Sequence, residues 1–193
     1  MGRVELIIGC MFSGKSTELI RRIRRYKAIY KKILTINYSG DTRYGNNKII
    51  THDNIKQDAL FIDNLQCVLR RKDFLNAEII AINEGQFFSD LYNIVITMAD
   101  YYNKTVMICG LDGDYQRQPF GDILKLIPHA EDVLKLYSLC KLCNNGNVAS
   151  FTKRLVSSDE TIFIGGAESY IPVCRGCYNN EKSKEIVNNE VHL

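Results

Sequence analysis

The sequence has little net charge and no long apolar run. Its 25 Lys and Arg residues stand against 22 Asp and Glu residues, a formal net charge of +3, which does not favour a nucleic-acid partner. No apolar run approaches the roughly 20 residues of a membrane span. The N-terminus has no signal-peptide pattern. We therefore expect a cytoplasmic protein that binds neither nucleic acid nor membrane.

The chain also lacks internal repeats and low-complexity tracts. Its 193 residues suffice for about one domain with a small appendage. Hydrophobic residues make up 46% of the chain and charged residues 24%, which is typical of a globular protein.

The most specific motif is the stretch 9–16, which has the spacing G-x-x-x-x-G-K-[ST] of a phosphate-binding P-loop. An apolar strand is predicted over 3–8 and a helix over 15–30, so the motif lies where a helix N-terminus favours an anion. The alternative is a chance match in a strand–turn–helix. The ATP-binding candidates of this loop are Gly9, Cys10, Met11, Phe12, Ser13, Gly14, Lys15 and Ser16.

Strands are also predicted over 32–37, 77–82 and 105–109, with a helix over 88–102. Strands that alternate with helices favour an α/β fold, a P-loop NTPase-like parallel sheet with helices on both faces. Ligands bind such sheets at the carboxyl ends of the strands. We therefore expect the P-loop, Asn83-Glu84 and Gly110-Leu111-Asp112 to converge on one cleft.

The character of the chain changes near residue 137. We expect a P-loop α/β domain over 1–136, a small zinc-binding β-rich domain over 137–180 with short strands at 147–155 and 161–164, and a flexible tail over 181–193. Residues 38–58 are polar and contain Gly and Asn, so we expect an irregular or hairpin-like excursion there.

Seven cysteines are many for a reducing compartment, where disulfides are unexpected. Four of them form two C-x-x-C pairs, which predict one tetrahedral zinc site of structural type. A redox dithiol or four free thiols are the alternatives. Cys67 and Cys109 lie in apolar runs and are predicted to be small core residues. The proposed zinc ligands are Cys140, Cys143, Cys174 and Cys177.

Phosphoryl transfer needs a metal and a group that takes the acceptor's proton. Lys15 would bring charge to the phosphates and Ser16 a hydroxyl to Mg²⁺. Glu84, at the end of a buried strand, could be a general base; the alternative is a surface-loop glutamate. Asp41 could reach the metal through water and Arg43 could stabilise charge on the transferring group. From spacing alone, both are only surface-loop charges.

The helix after the P-loop carries a run of basic residues. The low net charge favours a solvated helix face over a nucleic-acid patch. These residues are Arg21, Arg22, Arg24, Arg25 and Lys27.

The sequence resembles the cellular-type (type II) thymidine kinases over about residues 3–178. The matching segments, besides both cysteine pairs, are 11–16 (MFSGKS), 41–44 (DTRY), 51–53 (THD), 84–88 (EGQFF), 110–113 (GLDG), 119–121 (PFG), 152–154 (TKR), 164–167 (IGGA) and Tyr170.

The resemblance implies ATP-dependent phosphorylation of the 5′-hydroxyl of thymidine or deoxyuridine, with Mg²⁺, structural zinc, a homotetramer and inhibition by dTTP. It implies Glu84, Lys15 and Arg43 as catalytic residues, and Ser16 and Asp41 as magnesium-binding residues. Beyond the P-loop, the implied ATP-binding residues are Asp41, Arg43, Asn83 and Gln86. The implied substrate-binding residues are Tyr115, Phe87, Phe88, Phe120, Tyr170 and a lasso loop of Thr161, Ile162, Phe163, Ile164 and Gly165.

Two residues depart from the family pattern. Asn83 replaces the usual Asp, and a neutral amide binds Mg²⁺ less well than a carboxylate. Cys10 replaces the usual Pro, and a thiol in the positive field of a helix N-terminus can have a lowered pKa and oxidise readily. A small packed side chain is the other interpretation of Cys10.

Three other functions remain open from the sequence. One is a P-loop ATPase whose zinc domain binds a macromolecule, although basic residues are not interleaved with aromatics near the cysteines. Another is a deoxynucleoside kinase of different base preference. The third is a metal-impaired form of the kinase because of Asn83.

Overall fold

The computed structural model describes residues 1–29, 31–41, 48–50, 55–156 and 165–180. The central sheet consists of β1 (Arg3–Gly9), β2 (Ile33–Tyr38), β5 (Leu60–Ile62), β6 (Ile79–Ile82), β7 (Thr105–Leu111) and β8 (Asp132–Leu136). These six strands are parallel and lie in the order β5-β2-β6-β7-β1-β8. Between β2 and β5, the strands β3 (Lys48–Ile50) and β4 (Lys56–Asp58) form an antiparallel pair. The parallel sheet and the hairpin-like excursion are both confirmed.

Both faces of the sheet are covered by helices, and successive residues of a strand contribute to opposite faces. In β6, Ile80 and Ile82 join one core cluster, whereas Ile79 and Ala81 join the other. The helix α1 (Lys15–Lys27) packs its apolar stripe on the second cluster. The first cluster is covered by α2 (Lys72–Asn76), α3 (Leu91–Ile96), a π-helical turn at Thr97–Tyr101, and 3₁₀ helices at Leu65–Val68 and Ile123–His129.

Element ends differ from the predicted ones by a few residues. The helix predicted over 15–30 ends at Lys27, and α3 with its π-helical turn fills the helix predicted over 88–102. The edge strands β5 and β8 were not predicted, because β5 has only three residues and the apolar residues of β8 are interrupted by Lys135. No helix in the part of the chain described here is long and apolar enough to cross a membrane.

After β8 the chain forms a unit that we call the cysteine unit (residues 137–180). It contains two antiparallel strand pairs and a short helix: β9 (Ser138–Leu139) with β10 (Val148–Ala149), β11 (Phe151–Arg154) with β12 (Tyr170–Val173), and α4 (Arg175–Asn179). Strands β10 and β11 fall within the predicted 147–155. The strand predicted at 161–164 and the tail at 181–193 lie outside the described residues.

Candidate functional site

The 9–16 loop joins the carboxyl end of β1 to the amino end of α1. Gly9 and Gly14 have φ angles of 148° and 82°, which favour glycine. A Cβ on Gly9 would lie 2.2 Å from the Leu136 carbonyl oxygen of β8. Gly14 is the N-cap of α1. The two glycines thus let the loop turn tightly and present the helix N-terminus at the carboxyl edge of the sheet, where an anion is favoured.

Lys15 and Ser13 hold the loop in shape from within. The Lys15 ammonium donates to the Cys10 carbonyl oxygen at 2.6 Å, and Ser13 Oγ donates to the same oxygen at 2.8 Å. Burial lowers the pKa of Lys15, and Glu84 is the strongest of the charges that oppose this effect. Lys15 and Glu84 are therefore close enough to interact electrostatically.

Asn83 lies at the centre of a buried network rather than in an open metal site. It is 3% exposed. Ser16 Oγ donates to Asn83 Oδ1 at 3.0 Å, and the Cys109 thiol donates to the same oxygen at 2.9 Å. Asn83 Nδ2 donates to Asn37 Oδ1 at 2.7 Å. The amide therefore holds the hydroxyl of Ser16 and joins β2, β6 and β7 to the start of α1.

Asp41 follows β2 and is 6% exposed. Its backbone N–H donates to the Tyr38 carbonyl at 3.1 Å, so a turn brings it back toward the carboxyl edge of the sheet. Its predicted partner Arg43 lies outside the described residues.

Glu84 follows Asn83 just beyond the end of β6 and has the left-handed backbone angles φ 55° and ψ 42°. Few non-glycine residues adopt this region, and those that do are often found at functional sites. Gln86 Nε2 donates to Glu84 Oε2 at 2.7 Å, while the Leu111 N–H donates to Gln86 Oε1 at 3.0 Å. Glu84 is thus fixed at the edge of the sheet by its backbone turn and by Gln86.

Aromatic side chains form a continuous group beside Glu84. Phe87 stacks on Tyr38 with ring centres 5.2 Å apart and meets Phe120 edge-on at 5.4 Å. Phe88 was predicted to line the same pocket. It is 0% exposed and belongs to the core, where its ring meets that of Tyr38 edge-on. Phe87 ends the 3₁₀ turn Gly85–Phe87 and Phe88 leads the chain on toward the core, so the two rings have different surroundings although both contact Tyr38.

Tyr115 lies in the loop after β7 and contacts the cysteine unit. The Arg154 guanidinium stacks over its ring at 3.8 Å and also donates to the Tyr170 hydroxyl at 3.1 Å. The Tyr178 hydroxyl donates to the Tyr115 carbonyl at 2.6 Å. The structure therefore brings together Tyr115 and Tyr170. Of the predicted lasso loop, Gly165 is described, whereas Thr161, Ile162, Phe163 and Ile164 lie outside the described residues.

A cavity of about 370 Å³ opens between the 9–16 loop, the loop after β7 and the cysteine unit. Cys10, Asp112 and Thr152 are among its lining residues, so the loops after β1 and β7 converge as expected. The Asp112 carboxylate forms an ion pair with the Lys135 ammonium at 2.7 Å in the cavity wall. This contact raises the pKa of Lys135.

The four cysteines of the two C-x-x-C pairs form a single cluster. Their sulfur atoms all lie within 4.8 Å of one another; tetrahedral zinc, with Zn–S bonds of about 2.3 Å, needs separations of about 3.8 Å. Burial disfavours the Cys140 thiolate, but backbone N–H groups around it outweigh this effect and lower its pKa to about 6. The donor set fits a structural zinc ion.

Two expectations about other residues were wrong, and of the two interpretations of Cys10 the small packed side chain is the one the structure favours. Cys10 is 2% exposed and donates to the Ala149 carbonyl at 3.3 Å, and burial raises its pKa rather than lowering it. Cys67 is exposed, whereas Cys109 is a core residue as predicted. Arg22, expected on a solvated face, is buried with Glu5 at 2.6 Å.

Two residues that shape the site, Asn37 and Thr152, were not among the predicted site residues. Asn37 lies within a strand and meets Asn83 only because β2 and β6 are neighbours in the sheet. Thr152 Oγ1 accepts the Met11 N–H at 3.0 Å, which couples β11 to the 9–16 loop. The polar Asn37 in an apolar strand was the one signal that could have been noticed.

A family model described as thymidine kinase matches residues 2–178 of this chain. The chain belongs to the thymidine kinase family. The resemblance predicted from the motifs is thus confirmed, and with it the enzyme class, an alcohol-accepting phosphotransferase.

The similarity to individual thymidine kinases extends over most of the chain. The chain is 45% identical to the human "Thymidine kinase, cytosolic" over 184 residues, which are 94% of this chain and 75% of that protein. It is 47% identical to the thymidine kinase of vaccinia virus (strain Western Reserve) over 177 residues, 92% of this chain and 97% of the viral protein. It is 43% identical to thymidine kinase 1 of Dictyostelium discoideum over 187 residues, 95% of this chain and 80% of that protein.

Proposed function

We propose that this protein transfers the γ-phosphoryl group of ATP to the 5′-hydroxyl of thymidine or deoxyuridine, giving dTMP or dUMP and ADP. The observation that carries the proposal is the family match over residues 2–178. Supporting it, a glycine-bounded loop and the carboxylate of Glu84 lie at the same edge of the parallel sheet. We further propose that the 9–16 loop is a P-loop and that the α/β part is of the P-loop NTPase type.

In the proposed reaction, the 5′-oxygen attacks the γ-phosphorus and the bond from that phosphorus to the β,γ-bridging oxygen breaks. Glu84 takes the proton of the 5′-hydroxyl, and ADP leaves with the electron pair. Lys15 and Arg43 stabilise the charge that develops on the transferring group. Lys15 must exchange its bond with the Cys10 carbonyl for one with phosphate oxygen.

Oxygen donors suited to Mg²⁺ are present near the loop. Bound with ATP, Mg²⁺ would neutralise charge on the phosphate oxygens, and we assign Ser16 and Asp41 to it. The Asn83 amide holds the Ser16 hydroxyl and is neutral, so we expect a weaker metal site than a carboxylate would give.

For the nucleoside we propose an aromatic site. Phe87, Phe120 and Tyr115 would contact the base, with Tyr170 and the loop 161–165 completing the pocket. The contact of Tyr115 with Arg154 of β11 supports a pocket shared with the cysteine unit. The division into domains 1–136 and 137–180 remains a proposal.

The test is ADP formation by zinc-loaded protein with Mg²⁺-ATP and thymidine, beside Glu84→Gln. Thymidine-dependent turnover should appear in the parent and fall about 10²- to 10⁴-fold in the variant, the usual contribution of a general base. ATP turnover without nucleoside, or turnover stimulated by DNA, would instead favour an ATPase with a macromolecule-binding zinc domain. Faster turnover with another deoxynucleoside would correct the base preference.

We also propose, from the family resemblance, a cytoplasmic homotetramer inhibited by dTTP. Light scattering on the eluting protein measures the assembly, and the dependence of inhibition on thymidine concentration shows whether dTTP competes at the nucleoside site.

A further inference from the structure

Gln86 is a buried polar side chain in direct contact with the carboxylate of Glu84. It is 3% exposed and lies in the short 3₁₀ turn Gly85–Phe87 that follows β6. The family resemblance implied an ATP-binding role for it. Its side chain lies between Glu84 and the end of β7 and is hydrogen-bonded to both.

The orientation of the Gln86 amide is fixed by chemistry. The Leu111 N–H can only donate, so the oxygen Oε1 must face it, and the amide NH₂ must then face Glu84. The amide therefore offers the carboxylate a donor, at 2.7 Å. Rotating the amide by half a turn would point its oxygen at the Glu84 carboxylate and its NH₂ group at the Leu111 N–H. Both hydrogen bonds would then be lost.

Gly110 and Gly121 let the neighbouring backbone pack directly against Gln86, and this close packing restricts its movement. A Cβ on Gly110 would come within 2.4 Å of Gln86 Oε1, and one on Gly121 within 2.2 Å of the Gln86 carbonyl oxygen. Gly121 has a φ of 58°, a further reason for glycine at that position. The backbone on both sides thus packs closely around Gln86, and its donor is held at one place.

We propose that Gln86 is a positioning residue that holds the Glu84 carboxylate in the rotamer from which it takes the proton of the acceptor hydroxyl. The inference depends on the proposed function, in which Glu84 is the general base. In this role Gln86 itself exchanges no proton. A carboxylate on a strained turn needs such a restraint, because a displacement of about 1 Å in a reacting group can cost about 10²-fold in rate.

Gln86→Met tests the proposal because it keeps the length of the side chain and removes both hydrogen bonds. We expect kcat to fall about 10- to 100-fold while the KM values for ATP and thymidine stay unchanged. Gln66→Met, on the exposed face of the 3₁₀ helix Leu65–Val68, is the matched control and should match the parent in kcat. Thermal unfolding of all variants checks the fold.

Gln86→Glu provides a second readout that a purely structural role would not change. It keeps an acceptor for the Leu111 N–H but places a second carboxylate against Glu84, and two carboxylates in contact share a proton. The acidic limb of the kcat profile should therefore move to higher pH. Lys15 and the Cys109 thiol also interact with Glu84, so the profile is compared with that of the parent under identical conditions.

A double-mutant comparison separates the inference from the proposed function. In the Glu84→Gln background, Gln86→Met should reduce the residual single-turnover rate no further. An equal reduction in both backgrounds, or a raised KM for ATP with unchanged kcat, would overturn the positioning role. Parent-like turnover in Glu84→Gln would overturn Glu84 as the base, and absence of thymidine-dependent turnover in the parent would overturn the proposed function; the inference falls with either.

Discussion

At the scale of single residues, Asn83 is the main departure from the expected site. Its Nδ2 donates to Asn37 Oδ1 at 2.7 Å within the core, so a carboxylate at position 83 would bring two acceptor oxygens together. Asn37 can resolve this only by turning its amide, which removes its bond of 3.3 Å to the Tyr38 carbonyl. The neutral residue at 83 and the amide at 37 therefore suit each other.

Asn83→Asp should consequently have two opposite effects. We expect tighter Mg²⁺ binding, and a lower free energy of unfolding by about 1–3 kcal/mol, the cost of disturbing a buried polar group. Activity as a function of Mg²⁺ concentration and urea unfolding measure the two effects. Asn37→Asp, which keeps an acceptor for Asn83 Nδ2, is the matched control and should not change the Mg²⁺ requirement. If Asn83→Asp had the same free energy of unfolding as the parent, the contact between Asn83 and Asn37 would not stabilise the fold as described.

The thiols outside the four-cysteine cluster differ sharply in exposure, which predicts their reactivity. Burial raises the pKa of Cys10, and raises that of Cys109 to about 12, whereas Cys67 is exposed. Since the thiolate is the reactive form, iodoacetamide should label Cys67 first in zinc-loaded protein. Peptide mass mapping over time measures the order, and faster labelling of Cys10 would restore the hypothesis of an oxidation-sensitive P-loop.

At the scale of elements, α1 is attached to the sheet by buried charges as well as by its apolar stripe. Arg22 contacts Glu5 of β1 and Asp132 of β8, each at 2.6 Å, and Glu18 of its own helix at 2.9 Å. A buried cation needs such partners because burial of an unpaired charge is costly. The basic residue that looked like part of a solvated face therefore links three elements.

This network predicts a dependence of stability on pH. Hydrogen bonds from Arg21, more than those from Arg22, lower the pKa of Glu18 from 4.5 to about 2. A lowered folded-state pKa means that the stabilisation is present above the unfolded value and is lost as the pH falls from about 4.5 to about 2. The stability difference between the parent and Glu18→Gln, measured by urea unfolding, should therefore shrink as the pH falls through this range. A stability difference that stays constant over this pH range would show that Glu18 does not stabilise the folded state in this way.

The short helix α4 holds the loop that carries Tyr115. The Tyr178 hydroxyl donates to the Tyr115 carbonyl at 2.6 Å, and the Arg117 guanidinium lies 4.3 Å from the Tyr178 ring centre. Tyr178→Phe removes one hydrogen bond, worth about 1 kcal/mol, from the proposed nucleoside side of the site. We expect the KM for thymidine to rise about 5-fold with an unchanged KM for ATP. Tyr101→Phe, at a position that is 80% exposed, is the control and should change neither value.

At the scale of the whole molecule, the cysteine unit is connected to the 9–16 loop. The Thr152 hydroxyl oxygen accepts a hydrogen bond from the Met11 N–H, and the Ala149 carbonyl oxygen accepts one from the Cys10 thiol. Loss of the proposed zinc ion should therefore affect both ends of the site. We expect a chelator that removes zinc to lower the midpoint of thermal unfolding and to weaken binding of a fluorescent ATP analogue; binding that is unaffected would show that the two parts act independently.

The parts of this molecule that could be predicted from sequence are those written in local patterns. The continuous apolar run of β6 predicted a buried strand, and the glycine spacing of the 9–16 loop predicted the turn from β1 into α1. The two C-x-x-C pairs likewise predicted a cluster that the structure forms. The pairing of Asn37 with Asn83 could not be predicted, because it depends on which strands are neighbours. Cys67 was misjudged because an apolar run in a 3₁₀ turn exposes one side.

The position of β1 in the sheet has a consequence for synthesis on the ribosome. This first strand lies between β7 and β8, which begin at Thr105 and Asp132. The nascent chain therefore leaves both backbone edges of β1 unpaired and its apolar side chains uncovered until most of the α/β part has emerged, and contacts distant in sequence form slowly. Strand β1 thus leaves the exit tunnel well before either of its neighbours, and a chain truncated before β7 should need a chaperone to stay unaggregated.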